Sequence, residues 1–110
     1  MAELQDVTDA SFDDEVIRAE VPVLVDFWGE HCPPCRVISP ILKDLAGRYA
    51  GRLKVVKLNS DENHDAMVRF HVMALPTVLA FTGGEVVGQL TGAQPKKAFE
   101  ELAERALKEN

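Results

Sequence analysis

The sequence predicts a single α/β domain over residues 1–110, a mixed β-sheet with helices on both faces. Three observations carry that prediction. Two apolar, β-branched runs at 21–27 and 53–58 have the unbroken hydrophobicity of interior strands covered on both sides. Between them Ile38, Leu42, Leu45 and Tyr49 recur at spacings of three and four, one buried helical stripe. Residues 76–90 hold two further strand-like runs around Gly83-Gly84, so an antiparallel hairpin joins the sheet.

In chain order, 4–7 reads as a short strand. Ser11 is placed to cap a helix whose first turn holds Asp13, Asp14 and Glu15 and which ends near Glu20. In the strand 21–27, Asp26 is the exception to an apolar run. The helix 32–49 contains Pro40, which cannot donate the i to i−4 bond; a kink is expected there. Gly51 suits a left-handed cap. After the strand 53–58, the polar stretch 59–65 leads into a short helix at 66–70. The hairpin has strands at 76–81 and 86–90 about the turn 82–85, and Gly88 hints at a bulge. Pro95 fits the first turn of a last helix with the stripe Phe99, Leu102 and Ala106. Glu101 to Arg105 and Glu104 to Lys108 are i,i+4 pairs on its outer face. No repeats, linkers or low-complexity segments interrupt the pattern.

A chain of 110 residues buries about two-thirds of its unfolded surface, enough for an ordinary core without staples. Twelve Lys and Arg against eighteen Asp and Glu give a net charge of −6, with no clustered basic stretch. Nonspecific binding to nucleic acid or to an anionic membrane is thereby disfavoured. Residues 1–6 are acidic where a secretory signal is basic and then apolar, and no apolar stretch is long enough to span a bilayer. A cytoplasmic location is the expectation, and in such a reducing compartment a Cys-x-x-Cys pair is catalytic or metal-bound more often than a permanent crosslink.

The chemistry centres on Cys32-Pro33-Pro34-Cys35, between an interior strand and a helix. A sulfur at a helix N-terminus faces unpaired N–H groups and the positive end of the helix dipole, which favour the attacking thiolate. A second sulfur one turn later is near enough to attack a mixed disulfide formed by the first. Asp26, in a strand covered on both faces, loses hydration, so its pKa should rise toward neutrality; the bland alternative is a strand-end carboxylate satisfied by water. Lys57, in the next strand, reads by itself as a snorkelling surface lysine. Trp28 by itself reads as plain core, and next to the cysteine pair is expected to pack beneath the loop and hold Cys32 in position. Met73, Ala74, Leu75, Gly92 and Ala93 offer a small apolar surface suited to many flexible disulfide-bearing segments. Pro76 opens a strand, and on sequence grounds alone its peptide bond is trans.

Val25-Asp26-Phe27-Trp28, Cys32-x-Pro34-Cys35, Lys57, Leu75-Pro76-Thr77, Gly84 and Gly92 occur in the order and context of the thioredoxin family, which the chain resembles over essentially its whole length. The resemblance implies the thioredoxin fold, a five-stranded mixed sheet flanked by four α-helices. It implies a monomeric protein-disulfide reductase, free of cofactor and metal, that serves disulfide-containing client proteins and is recharged by thioredoxin reductase. On that resemblance Cys32 is the exposed nucleophile and Cys35 the buried resolving thiol. Asp26 is the proton acceptor for Cys35, with Lys57 close to it. Pro76 is a cis-proline facing the disulfide, and Trp28, Ala74, Leu75, Gly92 and Ala93 belong to the substrate-docking surface.

Two departures touch the chemistry. Pro33 stands where the family has glycine, removing an N–H that could approach sulfur and stiffening the loop beside Pro34. His31 stands where an aromatic is usual, and is either a solvated loop residue or, protonated, a group that favours the Cys32 thiolate. Ala74 replaces a glycine, and Gln94 with Pro95 makes a weaker helix cap than serine. Three rivals remain open on the sequence. The same site could run as a disulfide oxidant or isomerase. The thiols could hold zinc, although one Cys-x-x-Cys gives two of four ligands and His31, His64 and His71 are poorly spaced. The chain could also be an interaction module without turnover.

Overall fold

A computed structural model describes residues 3–110. Five strands, β1 (Gln5–Val7), β2 (Val23–Trp28), β3 (Lys54–Asn59), β4 (Thr77–Thr82) and β5 (Glu85–Thr91), form one sheet in the order β1-β3-β2-β4-β5. Three helices, α1 (Pro33–Arg48), α2 (His64–Arg69) and α3 (Lys96–Lys108), and a π-helical turn at Asp13–Ile17 cover it. β3 runs parallel to both β1 and β2, whereas β4 is antiparallel to β2 and β5. The mixed α/β architecture is thus the thioredoxin fold expected from the sequence.

Strand parity divides the core. Leu24, Val55, Val78 and Ala80 face Ile38, Leu42 and Leu45 of α1 and Phe99, Leu102 and Ala106 of α3. Val23, Val25, Phe27, Leu79 and Phe81 face the opposite way, toward Phe12, Val16 and Ala66. Each layer buries the stripe of an amphipathic element, the dominant favourable term in folding. Since side chains alternate along a strand, Asp26 shares the face of Leu24, toward α1. Its register partner on β3 is Lys57.

Several local expectations are corrected. The first helix is a single π-helical turn that stops at Ile17: the Arg18 N–H donates to the Asp13 carbonyl at 2.9 Å, five residues back. Pro22 follows closely and disfavours helical backbone at Val21. Ser11 does not cap it; its hydroxyl accepts from the Thr8 N–H at 2.9 Å and closes the preceding turn. α1 starts one residue later than read, with Cys32 as its N-cap, and runs on through Pro40 to Arg48. Gly51 does adopt the left-handed region (φ 85°), in the turn after α1. Pro95 is the N-cap of α3 rather than part of its first turn, and the Gln94 side chain bonds back to the Thr91 carbonyl at 2.9 Å.

Neither expected pair, Glu101–Arg105 or Glu104–Lys108, forms an ion pair among the described residues, while other charges of α3 meet α1, against which it lies. Lys96 pairs with Asp44 at 2.8 Å, Arg48 with Glu100 at 2.5 Å, and Glu104 accepts from the Tyr49 hydroxyl. The α2 N-terminus has a remote cap: the Asp9 carboxylate accepts from the backbone N–H groups of Asp65 (3.2 Å) and Ala66 (2.8 Å).

The hairpin between β4 and β5 turns on Gly83 (φ 61°) and Gly84 (φ 82°), positive angles that glycine adopts without steric cost. The bulge hinted at by Gly88 is present: Ala80 pairs with Gly88 and Phe81 with Val86, leaving Val87 as the extra residue. A Cβ at Gly88 would lie 2.6 Å from Leu102 Cδ1, so the glycine lets α3 approach the sheet. Gly84→Ala should destabilise the protein by about 1–3 kcal/mol, since its φ is unfavourable and the new Cβ meets the Ile17 carbonyl oxygen at 3.0 Å. The midpoint of chemical denaturation checks this; an unmoved midpoint would show that the hairpin tip relaxes freely.

Candidate active site

Cys32 and Cys35 are joined by a disulfide at the start of α1, with their Cα atoms 5.3 Å apart. The strand-to-helix junction sets this geometry: β2 ends at Trp28, the loop 29–31 turns, and Cys32 enters as N-cap in a non-helical conformation (φ −132°, ψ 89°). Pro33 and Pro34 occupy the first two helical positions, where proline's fixed φ is already suited to the helix. Neither carries an N–H. The next donor, the Cys35 N–H, is committed to the Cys32 carbonyl at 3.0 Å. Unpaired N–H groups therefore help the leading sulfur less than the sequence alone suggests, and the axial dipole of α1 is what remains.

The two cysteines differ little in exposure, 9% for Cys32 and 5% for Cys35. They differ in what they face. Cys35 lines a cavity of about 200 Å³ whose sheet side is made by Asp26, Trp28 and Lys57. Arg36, Ser39 and Lys43 of α1 close its helix side, Gly29 and Glu30 its loop side, and Leu4 the remaining side. Cys35, Ser39 and Lys43 follow one another four residues apart, so a single ridge of α1 runs along the cavity.

Asp26 is 4% exposed, and its Oδ1 is buried without a hydrogen-bond partner. Burial pushes its carboxyl pKa up to about 7, partly opposed by the Lys57 charge. A carboxyl poised there exchanges a proton at neutral pH. Lys57 is tethered rather than free at the surface: its Nζ lies 5.6 Å from the centroid of the Trp28 ring and 3.9 Å from the Asp6 carboxylate. Trp28 is half-buried and walls the cavity at the end of β2.

The second loop of the site runs from Met73 to Pro76. The Leu75–Pro76 peptide bond is cis, where the sequence alone favours trans and the family resemblance implies cis. The Gly92 N–H donates to the Pro76 carbonyl at 2.9 Å, which ties the loop after β5 to this segment. Thr77 Oγ1 donates to the Ala74 carbonyl at 2.6 Å, so that carbonyl is already engaged within the chain. His31, Pro33, Pro34, Ala74 and Ala93 are exposed, Leu75 and Gly92 half-buried, and Pro76 buried. Met73 is 93% and Val37 61% exposed, large apolar side chains open to solvent.

Sequence reasoning missed several residues that build the site. Gly29 is one: a Cβ there would stand 3.0 Å from Leu75 Cδ1, so its absence lets the cis-proline loop press against the loop after β2. Asp61 is another, its carboxylate accepting from the Glu30 N–H at 2.8 Å and pinning the same loop from the end of β3. Ser39 and Lys43 were legible in principle, from the four-residue spacing after Cys35. Leu4 and Asp61 had no local signal.

Residues 3–105 match the family model described as Thioredoxin. The chain is 40% identical over 107 residues to Thioredoxin 1 of Nostoc sp., spanning 97% of this chain and 100% of that relative. It is 48% identical over 90 residues to a thioredoxin of Pseudomonas aeruginosa, 82% of this chain and 83% of the relative. Against the chloroplastic M-type thioredoxin of Pisum sativum the identity is 46% over 105 residues, 96% of this chain and 61% of the relative.

Proposed function

This chain belongs to the thioredoxin family, and we propose that it reduces disulfides in client proteins through the Cys32/Cys35 couple and is recharged in the cytoplasm by a thioredoxin reductase. The observation that carries the reading is the pairing of a Cys32–Cys35 disulfide at a helix N-terminus with a buried, unpartnered Asp26 carboxyl in the cavity behind Cys35.

The cycle starts from the dithiol. The Cys32 thiolate attacks one sulfur of the client disulfide; that S–S bond breaks, a Cys32–client bond forms, and the first client sulfur leaves as a thiolate that takes a proton from water. Asp26, ionised in part near neutral pH, accepts the Cys35 proton across the cavity. The Cys35 thiolate then attacks Cys32 Sγ, closing the intramolecular disulfide and releasing the second client thiolate, which takes a proton from water as Asp26 returns its own to solvent. Two electrons have passed to the client. Thioredoxin reductase returns two electrons and two protons to restore the dithiol. The exposed Pro33, Pro34, Ala74 and Ala93, with Met73, form the docking face, apolar and low in bulk, which favours broad client choice over tight affinity.

The prolines favour the reducing direction over the oxidant or isomerase alternative. A strongly oxidising couple needs a stabilised thiolate in its reduced form, and Pro33 and Pro34 withhold two donors from Cys32. Equilibrium titration of the Cys32/Cys35 couple against a defined thiol buffer, read by thiol labelling, is the test. A potential near about −270 mV, where thioredoxins are poised, is expected; one above about −200 mV would overturn the reductase reading. Pro33→Gly should restore one donor, make the couple more oxidising by roughly 30 mV, and lower the Cys32 pKa by about one pH unit. The same titration and the pH dependence of alkylation measure both, and an unchanged potential would show that no donor at this position reaches the sulfur.

A further inference from the structure

The chain segment ahead of β1 has no part in the sulfur chemistry, yet it reaches the cavity in which that chemistry moves its proton. Leu4 lines the cavity with Asp26 and Cys35, is 6% exposed, and joins the core layer of Leu24, Ile38 and Leu42. It stands two residues before Asp6, whose register partner is Lys57, itself the register partner of Asp26. Asp6, Lys57 and Asp26 therefore form one row across three strands on one face, and strand parity carries Leu4 onto that face. The adjoining Glu3 pairs with Lys43 at 2.8 Å, and Lys43 is itself a wall of the cavity.

We propose that Leu4 is a positioning residue for Asp26: its side chain closes the N-terminal side of the cavity against water, and the Glu3–Lys43 ion pair latches it there. The inference rests on the role given to Asp26 above. The charged and titratable groups around this space are Lys57 from β3, Cys35, Arg36 and Lys43 from α1, and Glu30 from the loop after β2. From β4 the register neighbour of Asp26 is the apolar Val78. Lys57 is the cation that opposes the effect of burial on Asp26. Apolar closure by Leu4 acts in the opposite sense, because water admitted beside Oδ1 would hydrate the carboxylate and stabilise its charged form. A leucine outside the cysteine loop thereby helps set the pH at which Asp26 accepts a proton.

The experiment titrates the Asp26 carboxyl by NMR in the reduced full chain, alongside the pH profile of client-disulfide reduction. Leu4→Ala should lower the Asp26 pKa by about one pH unit and move the rate profile down with it. Leu4→Met, which keeps the volume, should restore the parent titration. Leu4→Val, with a smaller void, supplies the same comparison if Leu4→Ala does not hold its fold. An Asp26 titration unmoved in a folded Leu4→Ala or Leu4→Val variant overturns the inference and leaves the role of Asp26 standing. A titration that moves without the rate profile overturns the role of Asp26, and with it the claim that Leu4 serves the chemistry.

Discussion

A Cys35→Ser variant is expected to stop after about one client molecule per chain and to accumulate as a covalent mixed disulfide through Cys32. The proposed cycle gives unequal tasks to two sulfurs of nearly equal exposure. Cys35 faces the cavity that holds Asp26, whereas Cys32 is the N-cap ahead of it, next to the exposed Pro33 and Pro34. Without the Cys35 thiol no group one turn away can displace the client from Cys32, so turnover is lost while the first attack survives. Cys32→Ser should give no adduct, because a hydroxyl lacks the thiolate chemistry. Mass spectrometry of the unreduced reaction, with a disulfide-bearing protein as client, separates the outcomes. An adduct on Cys35 in the Cys32→Ser protein, but none on Cys32 in the Cys35→Ser protein, would reverse the assignment.

Asp26→Asn should make the protein both more stable and slower. The folded-state pKa of Asp26 is raised from 3.8 to about 7, so between those values the native state binds more protons than the unfolded chain. Stability contributed by this group therefore falls as pH rises from about 4 to about 7, then levels. The ionisation cost above pH 7 is about 4 kcal/mol. Asparagine removes that cost and keeps the shape, while burying an amide costs about 1 kcal/mol, so a gain of about 3 kcal/mol is expected at pH 8. Below pH 4 both side chains are neutral, so only the amide cost remains and the asparagine variant should be less stable by about 1 kcal/mol. Denaturant titrations at the two pH values check the sign; a gain that persisted at pH 4 would mean that the effect is not ionisation. Loss of the proton acceptor should slow resolution of the mixed disulfide at neutral pH by about 100-fold. A variant that resolved it at the parent rate would remove Asp26 from the cycle.

Much of the molecule was legible because its signals are local. The unbroken apolar runs of β2 and β3, the stripe Ile38–Leu42–Leu45 and the Gly83-Gly84 turn each need only a few neighbouring residues to be recognised, and each element formed where its pattern lay. Asp26 stood out as the single carboxylate in an apolar strand. The misreadings have long-range causes. Ser11 bonds back to Thr8 while Asp9 caps α2 more than fifty residues on. Lys96, Glu100 and Glu104 of α3 find their partners at Asp44, Arg48 and Tyr49, contacts that exist only because the two helices pack side by side.

Sequence by itself determined the strand and helix periods, the two sulfurs one turn apart and the carboxylate destined for burial, since covalent spacing and hydrophobic pattern are properties of the chain. Only the tertiary structure decided that Asp26 and Cys35 share one cavity, that Gly29 yields to Leu75, that Leu75–Pro76 is cis, and that Leu4 reaches the same cavity. These depend on which surfaces meet when the sheet closes on α1. Packing, desolvation and the proton affinity they set exist only once distant segments exclude water together.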